Sequence, residues 1–455
     1  MKRKIVSLLL ACVALVVAGS ATAQTLNSSY FMEGSYLRTD MNPALTPTRG
    51  YVAMPLLGNV SAEVNTNFMS VDKFFFKKDG QVVTGLSSLV SADEFLGRLP
   101  KTEKMTANVS FNFMSAGFYH GKMYWNFGFN IREQADMALS KDVFAMLKTF
   151  GNGTHSLSGT NLNANVYGET YVGATYPVLE WLTVGARLKF LTGIVNIAAN
   201  FDQMSANVTP DQIQGNLSGT ININAPVVAL TNMRPGDVFD FEKLFNMANG
   251  VKLGSFGAAI DLGAEAEFLD NTLRVSAAVT DLGFIRWSRN TTAVADINGA
   301  FHFNGINFAT AEPDYGFDAS MTLAESSNKG YTKMINCSLN VGAEYNILDN
   351  RIGFGLLSHT EFYNSLAYSE LTVSANFRPL NWLSATLSHT LLSGTKAGVF
   401  GFALNVHCTG LNLFMGMDYI DTRYVKYENS SVPRMATSVN AYVGLGFNFG
   451  KYVAK

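Results

Sequence analysis

Residues 256–268 read FGAAIDLGAEAEF, and this stretch decides the fold. Apolar residues occupy its even positions, whereas its acidic residues, Asp261, Glu265 and Glu267, stand at odd positions. Successive side chains of a β-strand point to opposite faces of the sheet. On the lipid face of a membrane barrel, Arg or Lys at the midplane costs roughly 2–4 kcal/mol, and Asp or Glu somewhat less. The acidic face is therefore predicted to point into a lumen and the apolar face toward lipid.

The same alternation recurs along the chain and predicts about fourteen strands. The segments are 58–68, 105–118, 123–132, 164–176, 181–191, 256–268, 273–285, 335–347, 351–361, 366–377, 382–392, 397–407, 411–420 and 437–449. An even number of strands can close on itself and remove the sheet edges, as a membrane requires. The predicted fold class is all-β, a transmembrane antiparallel β-barrel of about fourteen strands.

Composition and loop lengths favour this barrel over a large soluble all-β protein. Charged residues make up only 15% of the chain, compared with about 25% in soluble domains. Short turns alternate with long polar loops near 70–104, 138–163, 193–253, 287–334 and 421–435, and in bacterial barrels the short turns are periplasmic. The net charge of -2 argues against a nucleic-acid partner, which would need a basic patch.

The N-terminus has the organisation of a signal peptide. A basic start precedes an apolar run, residues 5–18, and the small residues Ala21 and Ala23 suit cleavage before Gln24. Residues 1–23 are therefore predicted to be removed on export. Together with the barrel pattern, this places the mature protein in the outer membrane of a Gram-negative bacterium.

Ten charged residues are predicted to face the lumen, because each lies on the polar face of its strand. They are Arg132, Arg187, Lys189, Asp261, Glu265, Glu267, Arg274, Glu344, Arg351 and Arg378. Such residues usually neutralise one another in a hydrogen-bonded network, and a substrate path is the alternative interpretation. Aromatic residues near strand ends fit girdles at the membrane interfaces; these are Tyr176, Trp181, Trp287, Tyr345, Trp382 and Tyr419.

Two motifs resemble those of a known kind of barrel. One is Asn42-Pro43-Ala44, between the signal peptide and the first strand, and the other is TDLGFIRW at residues 280–287. With the alternating strands, they resemble a family of uncharacterised Gram-negative outer-membrane barrels defined by a domain of unknown function. That family is similar to the long-chain fatty acid transporter (FadL-like) family and to the shuttle barrels of type IX secretion.

This resemblance implies a domain organisation and a class of ligand. It implies a barrel of fourteen strands over residues 58–455, with an N-terminal hatch, residues 24–57, inside its lumen. Asn42, Pro43 and Ala44 would lie in the hatch. The ligand-binding residues of the transporters have no match on this chain, so lipid transport follows from the resemblance alone.

Three stretches of the long loops, residues 91–99, 140–148 and 237–247, are predicted to be short amphipathic helices with a capping Ser or Asp. Their apolar residues need a cover, because isolated apolar surface in a wet loop is unfavourable. The candidates are Phe95, Phe144, Leu147, Phe241, Leu244, Phe245 and Met247. Either the helices pack on one another over the barrel mouth, or these residues line a groove for an apolar molecule.

The sequence has no pattern typical of an enzyme. Its six histidines have no His-Glu-x-x-His spacing, and Cys-x-x-Cys, the nucleophile elbow and the phosphate-binding loop are missing. No cofactor is expected. The leading hypothesis is binding or transport of a hydrophobic, fatty-acid-like molecule, with membrane lipid as the other partner. The alternative is a structural or secretion-associated barrel that acts through a protein partner in the envelope.

Overall fold

The computed structural model describes residues 27–66, 71–100, 102–149, 153–156, 159–208, 213–226, 228, 236–237, 254–307, 312–324, 327, 329–363, 367–392, 398–427, 430–433 and 439–453. The predicted signal peptide lies outside these residues. So do Phe241, Leu244, Phe245 and Met247 of the predicted groove.

Strands make up most of the described chain. In chain order they are β1 (Gly50–Ala53), β2 (Asn59–Thr66), β3 (Phe75–Lys78), β4 (Gln81–Thr84), β5 (Thr102–His120), β6 (Met123–Ser140), β7 (Gly153–Ser156), β8 (Asn161–Leu179), β9 (Leu182–Val208), β10 (Ile213–Asn224), β11 (Ser255–Phe268), β12 (Leu273–Trp287), β13 (Thr292–Asn307), β14 (Glu312–Leu323), β15 (Tyr331–Met334), β16 (Cys337–Ile347), β17 (Ile352–Phe362), β18 (Ala367–Leu380), β19 (Leu383–Leu392), β20 (Gly398–Val406), β21 (Asn412–Ile420), β22 (Tyr424–Tyr427), β23 (Ser430–Pro433) and β24 (Val439–Phe449).

The helices of the described chain are short. The α-helices are α1 (Arg38–Met41), α2 (Val71–Phe74), α3 (Ala92–Arg98) and α4 (Lys141–Thr149), and single 3-10 turns cover Asn27–Ser29 and Arg289–Thr291. Among the described residues, none of the helices has the length and apolar character needed to cross a membrane.

Fourteen wall strands form a closed antiparallel barrel, which confirms the predicted fold class. β1 and β2 are two parts of the first wall strand, since both pair with β5 on one side and β24 on the other. The wall continues through β5, β6, β8, β9, β11, β12, β16, β17, β18, β19, β20, β21 and β24. Pairing of the last strand with the first leaves the wall without an edge.

The two faces of the wall strands are oriented as predicted. In β9, Leu188 is 60% exposed and Phe190 is 53% exposed on the outside, while Arg187 and Lys189 between them are buried. In β11, Glu265 is buried as well. The outside of the barrel is therefore an apolar surface suited to lipid, and the inside carries the ionic side chains.

A β-bulge in β12 reverses this alternation. Thr280 and Asp281 both face inward opposite Asp261, and Asp281 has a φ of 61°. An extra residue in one strand shifts every later side chain to the other face. Trp287, beyond the bulge, is consequently buried inside the barrel, and its predicted place in an interfacial girdle is wrong.

A second bulge lies between β20 and β21, where Tyr419 has a φ of 62°. It turns Tyr419 into the lumen, where the side chain is buried, so its girdle assignment is also wrong. The other four aromatic residues of the predicted girdles are exposed on the outside, as expected: Tyr176, Trp181, Tyr345 and Trp382.

The two ends of the barrel differ. At one end the turns are short, and Leu269-Asp270-Asn271 and Leu348-Asp349-Asn350 each place three consecutive residues at positive φ. At the other end, β9 continues beyond the wall and pairs with β10. β10 pairs in turn with β13, and β13 pairs with β14. The long loops predicted at 193–253 and 287–334 therefore contain strands. Apolar residues such as Ile221, Ala293 and Leu323 give this extension a core of its own.

The loop helices pack together at the same end. Ser91 caps α3 by accepting a hydrogen bond from the Glu94 backbone N–H at 3.1 Å, and α4 covers the second predicted helix. Phe95 and Phe144 are buried with Phe76 in one apolar cluster. Of the two interpretations of these residues, packing of the loop helices on one another is the one observed for Phe95 and Phe144. Leu147 lies in α4, and the third predicted helix falls mostly outside the described residues.

Candidate functional site

The chain from Asn27 to Arg49, here called the N-terminal segment, runs inside the barrel. Its Met32 and Leu37 are fully buried and belong to one core cluster with Phe414 of the wall. Strand pairing begins at Gly50, so the wall starts earlier than the boundary predicted at residue 58. The reason is that residues 50–53 already pair with β5 and β24 and form the first part of the first wall strand.

Asn42, Pro43 and Ala44 form a turn that is tied to two wall strands. The Asn42 side-chain oxygen accepts a hydrogen bond from the Ala44 backbone N–H at 2.9 Å. Its amide nitrogen donates to the Ala264 carbonyl at 3.3 Å, and the Thr175 hydroxyl donates to the Pro43 carbonyl at 2.6 Å. The motif therefore fixes the N-terminal segment to the inner surface of the wall.

Two glycines leave the room that this turn needs. Gly185 in β9 and Gly263 in β11 stand directly opposite each other in the sheet. A Cβ atom on Gly263 would lie 2.9 Å from Pro43 Cδ and still nearer to the Asn42 side chain. One on Gly185 would lie 2.6 Å from the Ala44 nitrogen. The turn packs directly on backbone at this glycine pair.

Beside the turn, five buried side chains form what we call the central ionic network. Arg132 pairs with Glu169 and with Asp281, at 3.0 Å each. Lys189 pairs with Asp261 at 2.9 Å, with Glu169 at 3.5 Å and with Asp281. All five side chains are at most 3% exposed. Removing one partner from such a cluster is costly, because it leaves a buried charge uncompensated.

Arg187 joins the network to the N-terminal segment. Its guanidinium lies 2.8 Å from the Asp40 carboxylate and donates to the Thr39 hydroxyl at 2.8 Å. It also lies 4.3 Å from the centre of the Tyr171 ring and 3.9 Å from Asp261. The wall and the segment are thus connected by a charge-assisted bond within the lumen.

A second group, the lower ionic network, lies toward the short turns. Arg378 pairs with Glu33 of the N-terminal segment at 3.0 Å and with Glu344 of β16. Arg274 lies 3.8 Å from Glu33 and 3.5 Å from Glu267. Burial works to raise the pKa of Glu33, but the nearby arginines, Arg378 first, outweigh it and lower that pKa to about 2.

Nine of the ten residues predicted to face the lumen do so. Glu267 is half-buried, and the other eight are buried. Arg351 is the exception, and its prediction is wrong: it is exposed in the short turn before β17, where the chain has left the lumen.

A small polar cavity separates the N-terminal segment from the wall. About 20 Å³ of it is accessible to the centre of a water molecule, which suffices for about one water. Met41 lines it from the segment, and Asn59, Ser110, Asp281 and His359 line it from the wall. Its lining suits water rather than an apolar molecule.

Farther along the lumen is a group of apolar side chains, here called the inner aromatic cluster. Its members are Tyr167, Leu191, Ala259, Ile285, Trp287 and Ile335, with Tyr331 packed against them. The rings of Trp287 and Tyr331 stack with centroids 6.5 Å apart. The Trp287 indole N–H and the Tyr167 hydroxyl are buried, and neither has a hydrogen-bond partner within the described chain.

The model of a family of unknown function, DUF5723, matches residues 43–418. The chain belongs to this family. The match begins at the Asn-Pro-Ala turn and ends at Asp418 in β21, so it includes both ionic networks of the wall. A comparison with curated proteins gives no match.

The DUF5723 barrel is similar in fold to several solved transporters and channels. The toluene transporter TbuX of Ralstonia pickettii is 10% identical, with a TM-score of 0.39 and coverage of 95% of this chain and 96% of that chain. The toluene transporter TodX of P. putida is 8% identical, with a TM-score of 0.37 and the same coverage. The monoaromatic hydrocarbon channel CymD is 9% identical, with a TM-score of 0.40 and coverage of 96% and 97%.

Several residues of the DUF5723 site are absent from the predicted set. Asp281 is turned inward only by the bulge, and Glu169 stands on the polar face of β8, where its parity could have revealed it. Asp40 and Glu33 belong to the irregular N-terminal segment, where no periodicity indicates which side chains meet the wall.

The DUF5723 site combines contacts that hold the N-terminal segment with an apolar surface in the lumen. Across the described residues, no three His, Cys, Asp or Glu side chains are placed to hold a metal ion. The two ionic networks bind the N-terminal segment, and the inner aromatic cluster offers an apolar surface with two hydrogen-bond donors.

Proposed function

We propose that this barrel binds a hydrophobic small molecule and transports it across the outer membrane of a Gram-negative bacterium, to which the chain is exported after loss of its signal peptide. The ligand is fatty-acid-like, with an apolar body and an oxygen atom that accepts hydrogen bonds. The N-terminal segment acts as the hatch of the lumen.

The inner aromatic cluster is the observation that carries this proposal. Most of the lumen is lined by polar side chains, whereas here apolar groups from β8, β9, β11 and β12 converge. A buried donor without an acceptor costs about 1–3 kcal/mol, and buried Trp and Tyr usually find a partner. A carboxylate or carbonyl oxygen of a ligand would supply the acceptor that Trp287 and Tyr167 lack.

The contacts of the N-terminal segment support its role as a hatch. The segment is held against the inner surface of the wall by a few specific bonds, including Arg187 to Asp40 and Arg378 to Glu33. In the proposed mechanism, passage of a ligand requires this segment to move. We also propose that an apolar groove at the outer mouth is lined by Leu147, Phe241, Leu244, Phe245 and Met247.

Binding measurements on matched tryptophan variants test the proposal. Trp287→Phe keeps an apolar ring but removes the indole N–H, while Trp181→Phe makes the same change on the outer surface. In lipid nanodiscs, affinities for oleate and for toluene would be measured by equilibrium dialysis. One lost hydrogen bond of about 1–1.5 kcal/mol predicts about a tenfold weaker binding of oleate to W287F.

Comparison of the two ligands separates the hydrogen bond of Trp287 from the apolar contact with the cluster. Toluene has no oxygen, so its affinity for W287F should equal that for the wild type, and W181F should bind both ligands normally. Absence of oleate binding by the wild-type barrel would rule out the function. Equal oleate affinities for W287F and W181F would rule out the inner aromatic cluster as the site.

A protein partner is the second candidate, and the small size of the cavity beside the N-terminal segment favours it. The N-terminal segment packs against the inner surface of the wall, and the polar cavity beside it has room for about one water. A barrel that stays closed could serve by presenting its extended β9–β10–β13–β14 sheet to an envelope protein. Crosslinking in cells to one defined partner, together with absence of ligand after lipid extraction, would favour this alternative.

A further inference from the structure

The polar cavity between the N-terminal segment and the wall is lined mainly by side chains that carry oxygen atoms. They include Asp40 from the segment and Asn59, Ser110, Thr280, Asp281 and Ser338 from the wall. About 20 Å³ of the cavity is accessible to the centre of a water molecule, so it has room for one small species. Hard cations take oxygen ligands of this kind, from carboxylates and from Asn side chains.

Two of these lining side chains have an oxygen atom that lacks a hydrogen-bond donor. Asn59 is 5% exposed, and its side-chain oxygen has no donor within the described chain. One oxygen of Asp40 contacts Arg187 at 2.8 Å, whereas the other bonds to none of the residues that the structure describes. A buried acceptor without a partner is unfavourable. Because both side chains line the cavity, a species bound inside it is the partner that could reach them.

The charges around the cavity leave one negative charge in excess. The central ionic network with Arg187 balances three cations against three wall carboxylates, and Asp40 adds a fourth carboxylate. No further basic side chain of the described chain pairs with any of these four. Arg132 lines the cavity too, but its guanidinium already lies 3.0 Å from both Glu169 and Asp281.

Protonation of a carboxyl group is a poor way to remove this excess. Each of the four carboxylates has a cationic partner within 3.0 Å: Asp40 has Arg187, Asp261 has Lys189, and Glu169 and Asp281 share Arg132. An opposite charge at this distance favours the ionised form of a carboxyl group. Protonation would weaken one of these ion pairs, whereas an added cation would preserve all of them.

A monovalent cation fits the size, the ligands and the charge of the cavity together. A water molecule would bring no charge, and a divalent ion would turn the excess of one negative charge into an excess of one positive charge. We propose that the polar cavity binds one sodium ion between Asp40 of the N-terminal segment and the wall. Asn59 and the hydroxyl groups of Ser110, Thr280 and Ser338 supply its neutral oxygen ligands.

Such an ion would couple the N-terminal segment to the salt around the cell. It contacts both the segment and the wall, so it binds the closed arrangement best, and by linkage it stabilises that arrangement. Once Asp40 has left the wall, the excess charge is gone and the affinity for the ion falls. This site is separate from the inner aromatic cluster, and it does not depend on the identity of any transported molecule.

Sodium-23 NMR on the full mature barrel, in nanodiscs of uncharged lipid at neutral pH, tests the proposal. N-methyl-D-glucamine chloride would replace sodium chloride, so that chloride and ionic strength stay constant. Sodium held in an asymmetric site relaxes faster, so the wild type should show excess line broadening that saturates as one site, after subtraction of empty nanodiscs. Calcium chloride at the same ionic strength should compete more weakly than unlabelled sodium does, because of the charge balance.

Matched variants locate the site. Asn59→Leu and Thr280→Val each remove one oxygen ligand with little change in volume, and each should weaken sodium binding about tenfold. Asn126→Leu and Thr386→Val make the same changes at buried positions of the lumen outside the cavity, and they should bind sodium normally. Asp40→Asn should abolish the saturable broadening. Heat-dependent gel migration would check that every variant forms a folded barrel.

Amide hydrogen exchange of the N-terminal segment gives an independent measurement. Sodium at ten times its dissociation constant should slow exchange about tenfold relative to N-methyl-D-glucamine. The control T386V should keep this sodium dependence, and T280V should lose most of it. Equal sodium binding by T280V and T386V, or calcium binding as tight as that of sodium, would overturn the proposal. Broadening that does not saturate, with exchange indifferent to the cation, would show that the cavity holds water only.

Discussion

Adding one methyl group at the glycine pair should open the barrel without unfolding it. In Gly263→Ala, the new Cβ would approach Pro43 Cδ to 2.9 Å and the Asn42 side chain more closely, and real Cβ contacts essentially never fall below 3.0 Å. The neighbouring atoms belong to a turn fixed by its own hydrogen bonds, so the turn has to move. Gly185→Ala should act in the same way from β9.

The size of the effect follows from the contacts that the turn would lose. Three hydrogen bonds hold it: Ala44 to Asn42, Asn42 to Ala264, and Thr175 to Pro43. At about 1 kcal/mol each, their loss destabilises the closed segment by about 3 kcal/mol. That corresponds to a change of about two orders of magnitude in the ratio of closed to displaced segment.

Two assays would report this displacement. Trypsin should cleave after Arg38, which is buried in the closed segment, far faster in G263A than in the wild type, and ion conductance across planar bilayers should rise. Gly168→Ala is the matched control, because its Cβ would meet only the Phe129 ring, at 3.1 Å, and Thr192. If G185A and G263A resist trypsin as well as G168A does, and conduct ions as little, the turn does not close the lumen.

Three further outcomes are expected. Lys189→Met should lower the free energy of unfolding in detergent by about 3–5 kcal/mol, measured by urea titration, because three carboxylates lose their shared cation. Glu33 has its pKa lowered to about 2, so its contribution of roughly 3 kcal/mol to the stability of the closed segment should be present above about pH 4.5 and lost as the pH falls toward 2. Amide hydrogen exchange of the N-terminal segment should become faster over this pH range, and Glu33→Gln should remove this pH dependence. Leu188→Arg, on the lipid face, should cost about 2–4 kcal/mol in vesicle-folding titrations, whereas Leu86→Arg in an exposed loop should cost almost nothing.

Much of the barrel could be predicted because its signal is local. A strand repeats every two residues, and the lipid face excludes charge, so parity alone identifies the inward positions of Arg187, Lys189 and Glu265. The same rule places Trp181 and Trp382 on the outside. No knowledge of which strands are neighbours is needed for any of these assignments.

The errors arise where pairing between strands overrides parity. The bulge at Asp281 depends on the register of β11 against β12, and the local sequence of β12 does not show that an extra residue is present. One such residue brings Asp281 into the central ionic network and Trp287 into the inner aromatic cluster. Both parts of the candidate site therefore depend on a feature that alternation cannot reveal.

The contacts of the N-terminal segment were also beyond prediction from local patterns. Asp40 meets Arg187 and Glu33 meets Arg378 across long stretches of sequence. The segment has little regular structure, so no period indicates its inward or outward positions. The Asn-Pro-Ala motif lies in this segment, but the glycine pair against which it packs is recognised only once β9 and β11 are aligned.

The wall charges of the central ionic network balance one another without the N-terminal segment. In the central network with Arg187, the wall contributes three cations, Arg132, Arg187 and Lys189, and three carboxylates, which are Glu169, Asp261 and Asp281.

The lower network has the same property. Without Glu33, its wall residues are two arginines, Arg274 and Arg378, and two carboxylates, Glu267 and Glu344. Departure of Asp40 and Glu33 would thus leave the ion pairs within each network balanced, which lowers the penalty of an uncompensated buried charge. This balance would allow the segment to leave the wall, as its proposed role as a hatch requires.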